Sequence, residues 1–262
     1  MSPILIVGFH RSGTSAIARA FHGAGLDLGT SLLGAETANP HGHFEDLEAV
    51  ELHDSFLSAT GRTWKSTGHS DAPPVPAVAH DQLQSYLDRR ESAGRAWGVK
   101  DPRLCLFLGE WLQIAPAAHV VVVIRRPDEA VRSLHMRHSR RHVESRGVDP
   151  SDLDFWRDPD LGVKLWIHYH QRLLASLDSA RDPFVIDFSD RPAADRAVAS
   201  LVHRWTLDLD ASLIPPLDRR LGSTSVSPVE VRSVDLLQEA TEIWARLQER
   251  VGSQSDRAAD QE

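Results

Sequence analysis

The sequence predicts an α/β fold: a single domain in three layers, with a central, mainly parallel β-sheet of four to five strands flanked by helices. Short apolar runs rich in β-branched residues are typical of strands that are buried on both faces. Amphipathic segments with helical spacing separate these runs, as the crossover connections of a parallel sheet require. The 262 residues, 41% of them apolar, suffice for one large core.

The first strand, its loop and the first helix occupy the start of the chain. The run Ile4–Val7 is apolar, and Gly8 ends it. From Ala16 onward, apolar residues recur at helical spacing, so the loop leads into the N-terminus of a helix. Unpaired N–H groups and the positive end of the helix dipole make such an N-terminus a site for anions. A tight turn without a ligand is the alternative.

The loop resembles the Gly-x-x-x-x-Gly-Lys-Ser/Thr motif of P-loop proteins, so the predicted fold is P-loop-like. Gly8 and Gly13 are in place, but Thr14 stands where the motif has its lysine. Kinases and nucleoside-triphosphate hydrolases use that lysine to reach the β- and γ-phosphates. The replacement argues against a triphosphate ligand and leaves a loop suited to another anion.

Side chains of the same loop add donors for an anion. Ser12, Thr14 and Ser15 supply hydroxyl groups. Arg11 supplies a planar guanidinium that suits phosphate or sulfate oxygens. The loop as a whole therefore predicts an oxyanion site.

A polar turn at residues 39–45 leads into a helix predicted at 46–60. Glu45 therefore lies at or just before a helix start. Two interpretations are open: a general base that a loop delivers, or a carboxylate that complements the helix dipole. Asp46 could cap the helix equally well.

A second cluster of charged residues follows the short strand predicted at 96–100. Lys100, Asp101 and Arg103 come at its end, and Pro102 can open the next helix. Since ligands gather at the carboxyl ends of strands in open α/β sheets, these side chains should face the same edge as the first loop. A surface ion pair is the alternative.

The strand predicted at 119–124 is followed by Arg125, and Pro127 suits the first position of the next helix. P-loop hydrolases commonly carry an acidic residue at the end of this strand to hold magnesium. An arginine there predicts an anion that contacts the protein without a metal between them. Arg125 and Ser133 could bracket one phosphate, because the strand-to-helix turn folds them toward each other.

The rest of the chain predicts a fourth strand and four helices, at 184–188 and at 79–93, 161–177, 195–205 and 236–251. Prolines in residues 66–79 indicate an exposed loop. Residues 137–155 are polar and predict a lid or a substrate-side segment. We expect one domain at residues 1–252 and a disordered polar tail at residues 253–262.

Composition excludes several classes of protein. A net charge of −8 argues against general nucleic-acid binding, and no apolar run approaches the ~20 residues of a membrane span. Cys105 is the only cysteine, which excludes an intrachain disulfide and a thiolate cluster. We expect a soluble, cytoplasmic protein, either a monomer or a homodimer.

Two local features have more than one interpretation. Residues 125–146 hold seven arginines and three acidic residues, which form either a solvated helix face or an anion-binding wall. The fourteen histidines raise a metal hypothesis. His138 and His142 have chelate spacing on a helix but lie among arginines, and His41 and His43 flank a loop glycine. We predict no metal site.

Side by side, these segments resemble the 3′-phosphoadenosine-5′-phosphosulfate (PAPS)-dependent sulfotransferases, in particular the bacterial branch. Residues 10–15 are similar to the family's 5′-phosphosulfate loop. Residues 124–133 are similar to its 3′-phosphate motif, an arginine and a serine with seven residues between them. Residues 39–45 and 100–103 are similar to further segments of bacterial members, and the latter also to a segment of the tyrosylprotein sulfotransferases.

The resemblance implies the fold and a set of residues that bind the donor. The loop residues would bind its 5′-phosphosulfate: Arg11, Ser12, Gly13, Thr14 and Ser15. Arg125 and Ser133 would bind its 3′-phosphate.

The resemblance also implies three catalytic roles. Glu45 would be the general base that takes the proton of the acceptor hydroxyl. Arg11 and Lys100 would stabilise charge on the sulfuryl group and on the bridging oxygen during transfer.

The chain departs from the animal cytosolic members of this family. Those proteins carry lysine at the position of Arg11 and a histidine base in a Lys-Thr-His segment, where Lys-Asp-Pro stands nearest here. Their C-terminal Arg-Lys-Gly segment is missing. Arg219, Arg220 or the arginines of residues 137–146 are the candidates to replace it.

The implied activity is in-line transfer of a sulfuryl group from PAPS to a hydroxyl of a small molecule, sugar or lipid, with adenosine 3′,5′-bisphosphate (PAP) as the other product. A P-loop kinase that acts on a small molecule is one alternative, against which Thr14 and Arg125 argue. A non-catalytic nucleotide-binding module is the other.

Overall fold

A computed structural model of the chain describes residues 2–36, 39–68, 77–218 and 231–259. A parallel sheet lies between two layers of helices. Its strands are β1 (Ile4–Val7), β2 (Gly98–Lys100), β3 (His119–Ile124) and β4 (Phe184–Asp187), in the spatial order β2-β1-β3-β4. The predicted α/β fold with a parallel sheet of four to five strands is confirmed, with four strands in the described residues.

The α-helices cover most of the remaining described residues. They are α1 (Thr14–Gly23), α2 (Leu47–Ser58), α3 (Ala77–Glu91), α4 (Leu104–Ile114), α5 (Pro127–Glu144), α6 (Asp154–Arg157), α7 (Leu161–Leu177), α8 (Arg191–Arg204) and α9 (Val234–Ala259). Short 3-10 helices occupy Pro150–Leu153 and Ala211–Leu213. Within the described ranges, every helix is too short or too polar to cross a membrane.

The continuous apolar run of β1 is explained by burial on both faces of the sheet. Leu5 and Val7 belong to the core that the sheet forms with helices such as α4 and α7. Ile4 and Ile6 belong to a second core, formed mainly with α1 and α8. Because side chains alternate between the faces of a strand, a strand with helices on both sides needs apolar residues at every position.

The strand order brings three loops to one edge of the sheet. β1 lies between β2 and β3, and all three strands run in the same direction. The loop after β1, residues 101–103 and the turn from β3 into α5 therefore lie side by side. Gly8 allows the loop after β1 to approach β3 closely, since a Cβ there would lie 2.3 Å from the carbonyl oxygen of Val123.

The polar segment at 137–155 is more regular than the sequence indicates. α5 continues to Glu144, and the 3-10 helix and α6 follow it. The sequence pattern fades after His138 because the later turns have no apolar stripe. A hydrogen bond and an ion pair hold them instead: His138 Nδ1 lies 2.6 Å from Asp152 Oδ1, and Arg141 Nη2 lies 3.0 Å from Asp149 Oδ2.

Other helix bounds also differ from the predicted ones. α4 begins at Leu104, two residues after Pro102, and α8 begins at Arg191 because the Asp190 side chain caps it by accepting a hydrogen bond from the Ala193 N–H. α9 runs to Ala259, into the segment assigned to a polar tail, as an established helix adds residues at little cost. Residues 69–76 of the predicted Pro-rich loop lie outside the described residues.

Candidate functional site

A cavity of about 270 Å³ opens at the edge of the sheet where these loops meet. The predicted site residues that line it are Arg11, Gly13, Thr14, Ser15, Glu45, Lys100, Arg125 and Ser133. They come from four separate segments of the chain: 11–15, 45, 100 and 125–133. The topology thus brings together residues that the sequence places up to about half the chain apart.

The loop after β1 exposes the N-terminus of α1 to this cavity. Gly13 has a φ of 98°, and no side chain of the described residues caps the first N–H groups of the helix. A Cβ at Gly13 would lie 2.2 Å from the Phe188 ring, so only glycine fits there. The uncapped N–H groups and the Thr14 and Ser15 hydroxyls can serve as donors to an oxyanion.

Ser12 occupies a different place from its neighbours. Its side chain is fully buried beneath the loop, and it is not among the cavity-lining residues. Its N–H donates to the Phe9 carbonyl at 3.1 Å, and its Oγ has no hydrogen-bond partner in the described part of the chain. The sequence pattern could not separate Ser12 from Thr14 and Ser15, because all three are hydroxyl residues in one loop.

Lys100 and Glu45 form a buried ion pair at one end of the cavity. Lys100 Nζ lies 2.5 Å from Glu45 Oε1, and the two residues are 2% and 6% exposed. The ammonium also donates to Ser15 Oγ at 3.2 Å and to the His43 carbonyl at 3.1 Å. Glu45 Oε2 accepts no hydrogen bond from a described residue, which leaves it for a ligand in the cavity.

Arg11, Ser133 and Arg125 form the second polar group of the cavity. Arg11 Nε donates to Ser133 Oγ at 3.0 Å, and Arg125 Nη1 donates to the Arg11 carbonyl at 3.2 Å. Arg125 Nε also lies 2.8 Å from Glu129 Oε2. Burial, followed by repulsion from Arg137 and Arg125, lowers the pKa of Arg11 to about 10. An anion bound here would relieve that repulsion.

Several cavity residues were not predicted from the sequence. Asn39 Nδ2 donates to Ser15 Oγ at 3.2 Å, and His43 belongs to the same polar turn. Burial, followed by the charges of Lys100 and Arg137, lowers the pKa of His43 to about 4, so its ring is neutral at pH 7. The polar turn itself was the signal, but His41 and His43 were considered only as metal ligands, and Glu45 alone was given a role toward a substrate.

Phe188 and Arg191 add an aromatic and cationic wall to the same cavity. Arg191 Cζ lies 3.9 Å from the centre of the Phe188 ring, and both residues line the cavity. Phe188 directly follows β4, so the rule that ligands meet the carboxyl ends of strands could have indicated it. Arg219 and Arg220, candidates for the missing C-terminal segment, lie outside the described residues.

A buried hydrogen-bond network supports the end of β2 beneath Lys100. Asp101 Oδ2 lies 2.9 Å from His53 Nδ1, and Asp101 Oδ1 lies 3.0 Å from Arg103 Nη1. Trp111 Nε1 donates to His53 Nε2 at 3.0 Å, which fixes the tautomer of His53 with its hydrogen on Nδ1, toward Asp101. Despite its burial, Asp101 has a lowered pKa, chiefly because of the charge of Arg103 and its hydrogen bond with His53.

The histidines of the polar turn take part in separate contacts. His41 Nε2 lies 3.2 Å from Asp218 Oδ2, and His43 Nε2 lies 3.5 Å from Glu36 Oε2. In the part of the chain that the structure describes, no three His, Cys, Asp or Glu side chains are grouped as metal ligands would be.

Comparisons with known proteins point to one family. The family model described as "Sulfotransferase family" matches residues 3–184 of this chain. No curated protein matches the sequence significantly.

Solved structures with a similar fold carry the same description at low sequence identity. A sulfotransferase from Alicyclobacillus acidocaldarius is 15% identical, with a TM-score of 0.53 over 97% of this chain and 95% of that one. The sulfotransferase domain from the curacin biosynthetic pathway is 14% identical, with a TM-score of 0.53 over 95% and 98% of the two chains. A sulfotransferase from Mycobacterium avium is 14% identical, with a TM-score of 0.52 over 94% and 75%. At these identities, the structural similarity shows a shared fold.

The network beneath Lys100 predicts a pH-dependent stability. A carboxyl whose pKa is lowered by folding stabilises the native state above its unfolded pKa of about 4, and this contribution is lost as the pH falls below that value. We expect Asp101→Asn to lower the free energy of unfolding by about 3 kcal/mol at pH 7, because the buried Arg103 loses a partner, and by less at pH 3. Urea unfolding at the two pH values measures both differences.

Asp88→Asn is the matched control, since Asp88 lies exposed on α3 and, among the described residues, its side chain hydrogen-bonds only with Gln84. We expect it to change the free energy of unfolding by about 0.5 kcal/mol or less at either pH. A loss for Asp101→Asn that is the same at pH 3 and pH 7 would contradict the role of the ionised carboxylate.

Proposed function

The chain belongs to the sulfotransferase family, and from this premise we propose that it transfers a sulfuryl group from PAPS to a hydroxyl of an acceptor. The observation that carries the proposal is one cavity with two polar ends. Lys100, Glu45 and the N-terminus of α1 form one end, and Ser133 and Arg125 form the other. Arg11 connects the two, because it lies in the loop before α1 and donates to Ser133 Oγ. A donor with a phosphosulfate at one end and a phosphate at the other needs such a pair of sites.

The residues present fit this donor. At the first end, Gly13, Thr14 and Ser15 bind the 5′-phosphosulfate with helix N–H groups and hydroxyls, while Ser12 supports the loop from below. At the second end, Arg125 and Ser133 bind the 3′-phosphate. The lowered pKa of Arg11 supports the assignment, because it reflects clustered positive charges that an anionic ligand would balance.

When bound, PAPS supplies an activated sulfuryl group whose transfer leaves negative charge on the departing phosphate. Lys100 and Arg11 stabilise that charge together with the N-terminus of α1, so positioned cations and dipoles supply most of the catalysis. Glu45 Oε2 accepts the proton of the acceptor hydroxyl, while Oε1 stays on Lys100 and fixes the orientation of the carboxylate. The acceptor is a small molecule, a sugar or a lipid.

A kinase would need a phosphate-binding lysine and a magnesium-binding acid, and other residues stand at both positions here. Thr14 occupies the position of the phosphate-binding lysine, and Arg125 follows β3 where a magnesium-binding acid is common. A non-catalytic nucleotide-binding module would retain both anion sites, and it could keep Glu45 beside Lys100 as a structural contact, so turnover is what separates it from an enzyme. Binding and turnover experiments separate the three functions.

We expect the wild-type protein to bind adenosine 3′,5′-bisphosphate without magnesium and more tightly than ATP with magnesium. Arg125→Ala should lower the affinity for the bisphosphate by about tenfold to a hundredfold, because a hydrogen bond between charged groups contributes about 1.5–3 kcal/mol. Isothermal titration calorimetry measures these affinities.

Arg126→Ala is the matched control, because Arg126 is the next residue, is exposed and pairs with Asp128. We expect it to change the bisphosphate affinity by about twofold or less. The donor assignment fails if the wild type does not bind the bisphosphate, or if both variants bind it alike.

Glu45→Gln tests the base. We expect it to lower turnover at least about a hundredfold, the usual contribution of a positioned base. Bisphosphate binding should weaken much less, because the amide oxygen of glutamine can still accept the hydrogen bond from Lys100. Mass detection of the sulfated product, with 4-nitrophenol or another phenol that the wild type modifies, provides the measurement. Glu48→Gln, an exposed change in the first turn of α2, should retain wild-type turnover. Near wild-type turnover of Glu45→Gln would rule out Glu45 as the base.

A further inference from the structure

We propose that the acceptor carries an anionic group, a carboxylate or a sulfate or phosphate ester, and that Arg137 and Arg140 of α5 bind this group beside the reacting hydroxyl. The inference rests on the proposed function and names the substrate class of the same site. The arrangement of α5 along the cavity, the contacts of Arg137 and the balance of charge support it.

One face of α5 forms a wall of the cavity well beyond the residues assigned to the donor. The cavity-lining residues of α5 are Arg132, Ser133, Met136, Arg137 and Arg140. At 1.5 Å per residue, Arg140 lies about 10 Å along the helix from Ser133. A single phosphate between Arg125 and Ser133 cannot span that distance. The later turns therefore face a different part of the bound ligands.

The contacts of Arg137 place it on the Glu45 side of the cavity. Its Nη2 lies 2.9 Å from Glu36 Oε2, and the same oxygen lies 3.5 Å from His43 Nε2. His43 Nδ1 in turn lies 4.0 Å from Glu45 Oε1. The Nε of Arg137 is buried and has no hydrogen-bond partner in the described residues. The Arg137 guanidinium therefore lies near the proposed base, where Glu36 holds its Nη2.

Acidic residues balance the charge of this wall only in part, and the partner of Arg137, Glu36, is not itself a lining residue of the cavity. Among the described lining residues the carboxylates are Glu45 and Asp218, which already pair with Lys100 and His41. Arg140 forms no ion pair within the described part of the chain and is exposed at the cavity mouth.

The arginines of this wall also repel the positive charge of Arg11. Burial is the largest cause of the lowered pKa of Arg11, and Arg137 is the next, with Arg140 a smaller contributor. Clefts lined by one sign of charge concentrate ligands of the opposite sign. Because Glu36 already pairs with Arg137, a neutral acceptor would leave Arg140 without a counter-charge among the described residues, whereas an anionic one would pair with it.

The test compares matched acceptors that differ by one anionic group. The pairs are 4-hydroxybenzoate with 4-hydroxybenzamide, glucuronate with glucose, and glycerol 3-phosphate with glycerol. Transfer from PAPS is measured by mass detection, and binding is measured by calorimetry on protein saturated with adenosine 3′,5′-bisphosphate. We expect at least one anionic member to be preferred by about tenfold or more, in kcat/KM or in Kd. The pair that shows the preference tells carboxylate from phosphate.

Arg140→Gln should reduce that preference by about tenfold and change the bisphosphate affinity by about twofold or less. Arg157→Gln is the control, because it removes an exposed arginine outside the cavity. The inference is overturned if no anionic member exceeds its neutral partner in transfer or binding, or if Arg140→Gln preserves the preference. It is also overturned if Arg140→Gln strongly lowers the affinity for the bisphosphate, since Arg140 would then bind the donor and not the acceptor. Failure of the wild type to bind the bisphosphate would instead overturn the proposed function.

Discussion

The buried ion pair between Lys100 and Glu45 is the contact on which the candidate site depends. Each residue comes from a different segment, and a single buried charge would destabilise the fold by several kcal/mol without its partner. The pair therefore holds the polar turn at residues 39–45 against the end of β2. Hydrogen bonds from the same ammonium to Ser15 and to the His43 carbonyl join α1 to this arrangement.

The sheet topology makes that contact available. β1 lies between β2 and β3, so Lys100 and Arg125 flank the loop that carries Arg11. Beneath the loop, Asp101 and His53 fix the end of β2 through buried hydrogen bonds. The site thus combines residues from distant segments on a rigid edge, which suits a reaction that depends on positioned charges. An anionic acceptor would extend the same principle from the donor to the second substrate.

Sequence patterns predicted the sheet and the location of the site. The strands were recognisable because burial on both faces demands continuous apolar runs, and α7 was predicted at its observed bounds for its long apolar stripe. Because ligands gather at the carboxyl ends of parallel strands, Arg11, Lys100 and Arg125 were predicted to lie at one edge of the sheet. In the structure all three line the same cavity. The roles of individual site residues remain predictions from the resemblance and from this geometry.

Features that depend on contacts between distant segments were not predictable in the same way. The pairing of Glu45 with Lys100 requires the turn at 39–45 to fold over β2, and no local pattern specifies that. Ser12 and Thr14 are hydroxyl residues of the same loop, but Thr14 lines the cavity, whereas Ser12 is fully buried and does not. α5 extends past His138 because contacts with residues 149–152 stabilise a polar helix, which periodicity cannot detect.

A crystal structure of the full chain with adenosine 3′,5′-bisphosphate tests the central claim most directly. The 5′-phosphate should lie at the N-terminus of α1 within reach of Lys100, and the 3′-phosphate should lie between Arg125 and Ser133. The reverse orientation, or a nucleotide bound outside this cavity, would contradict the assignment of the two ends.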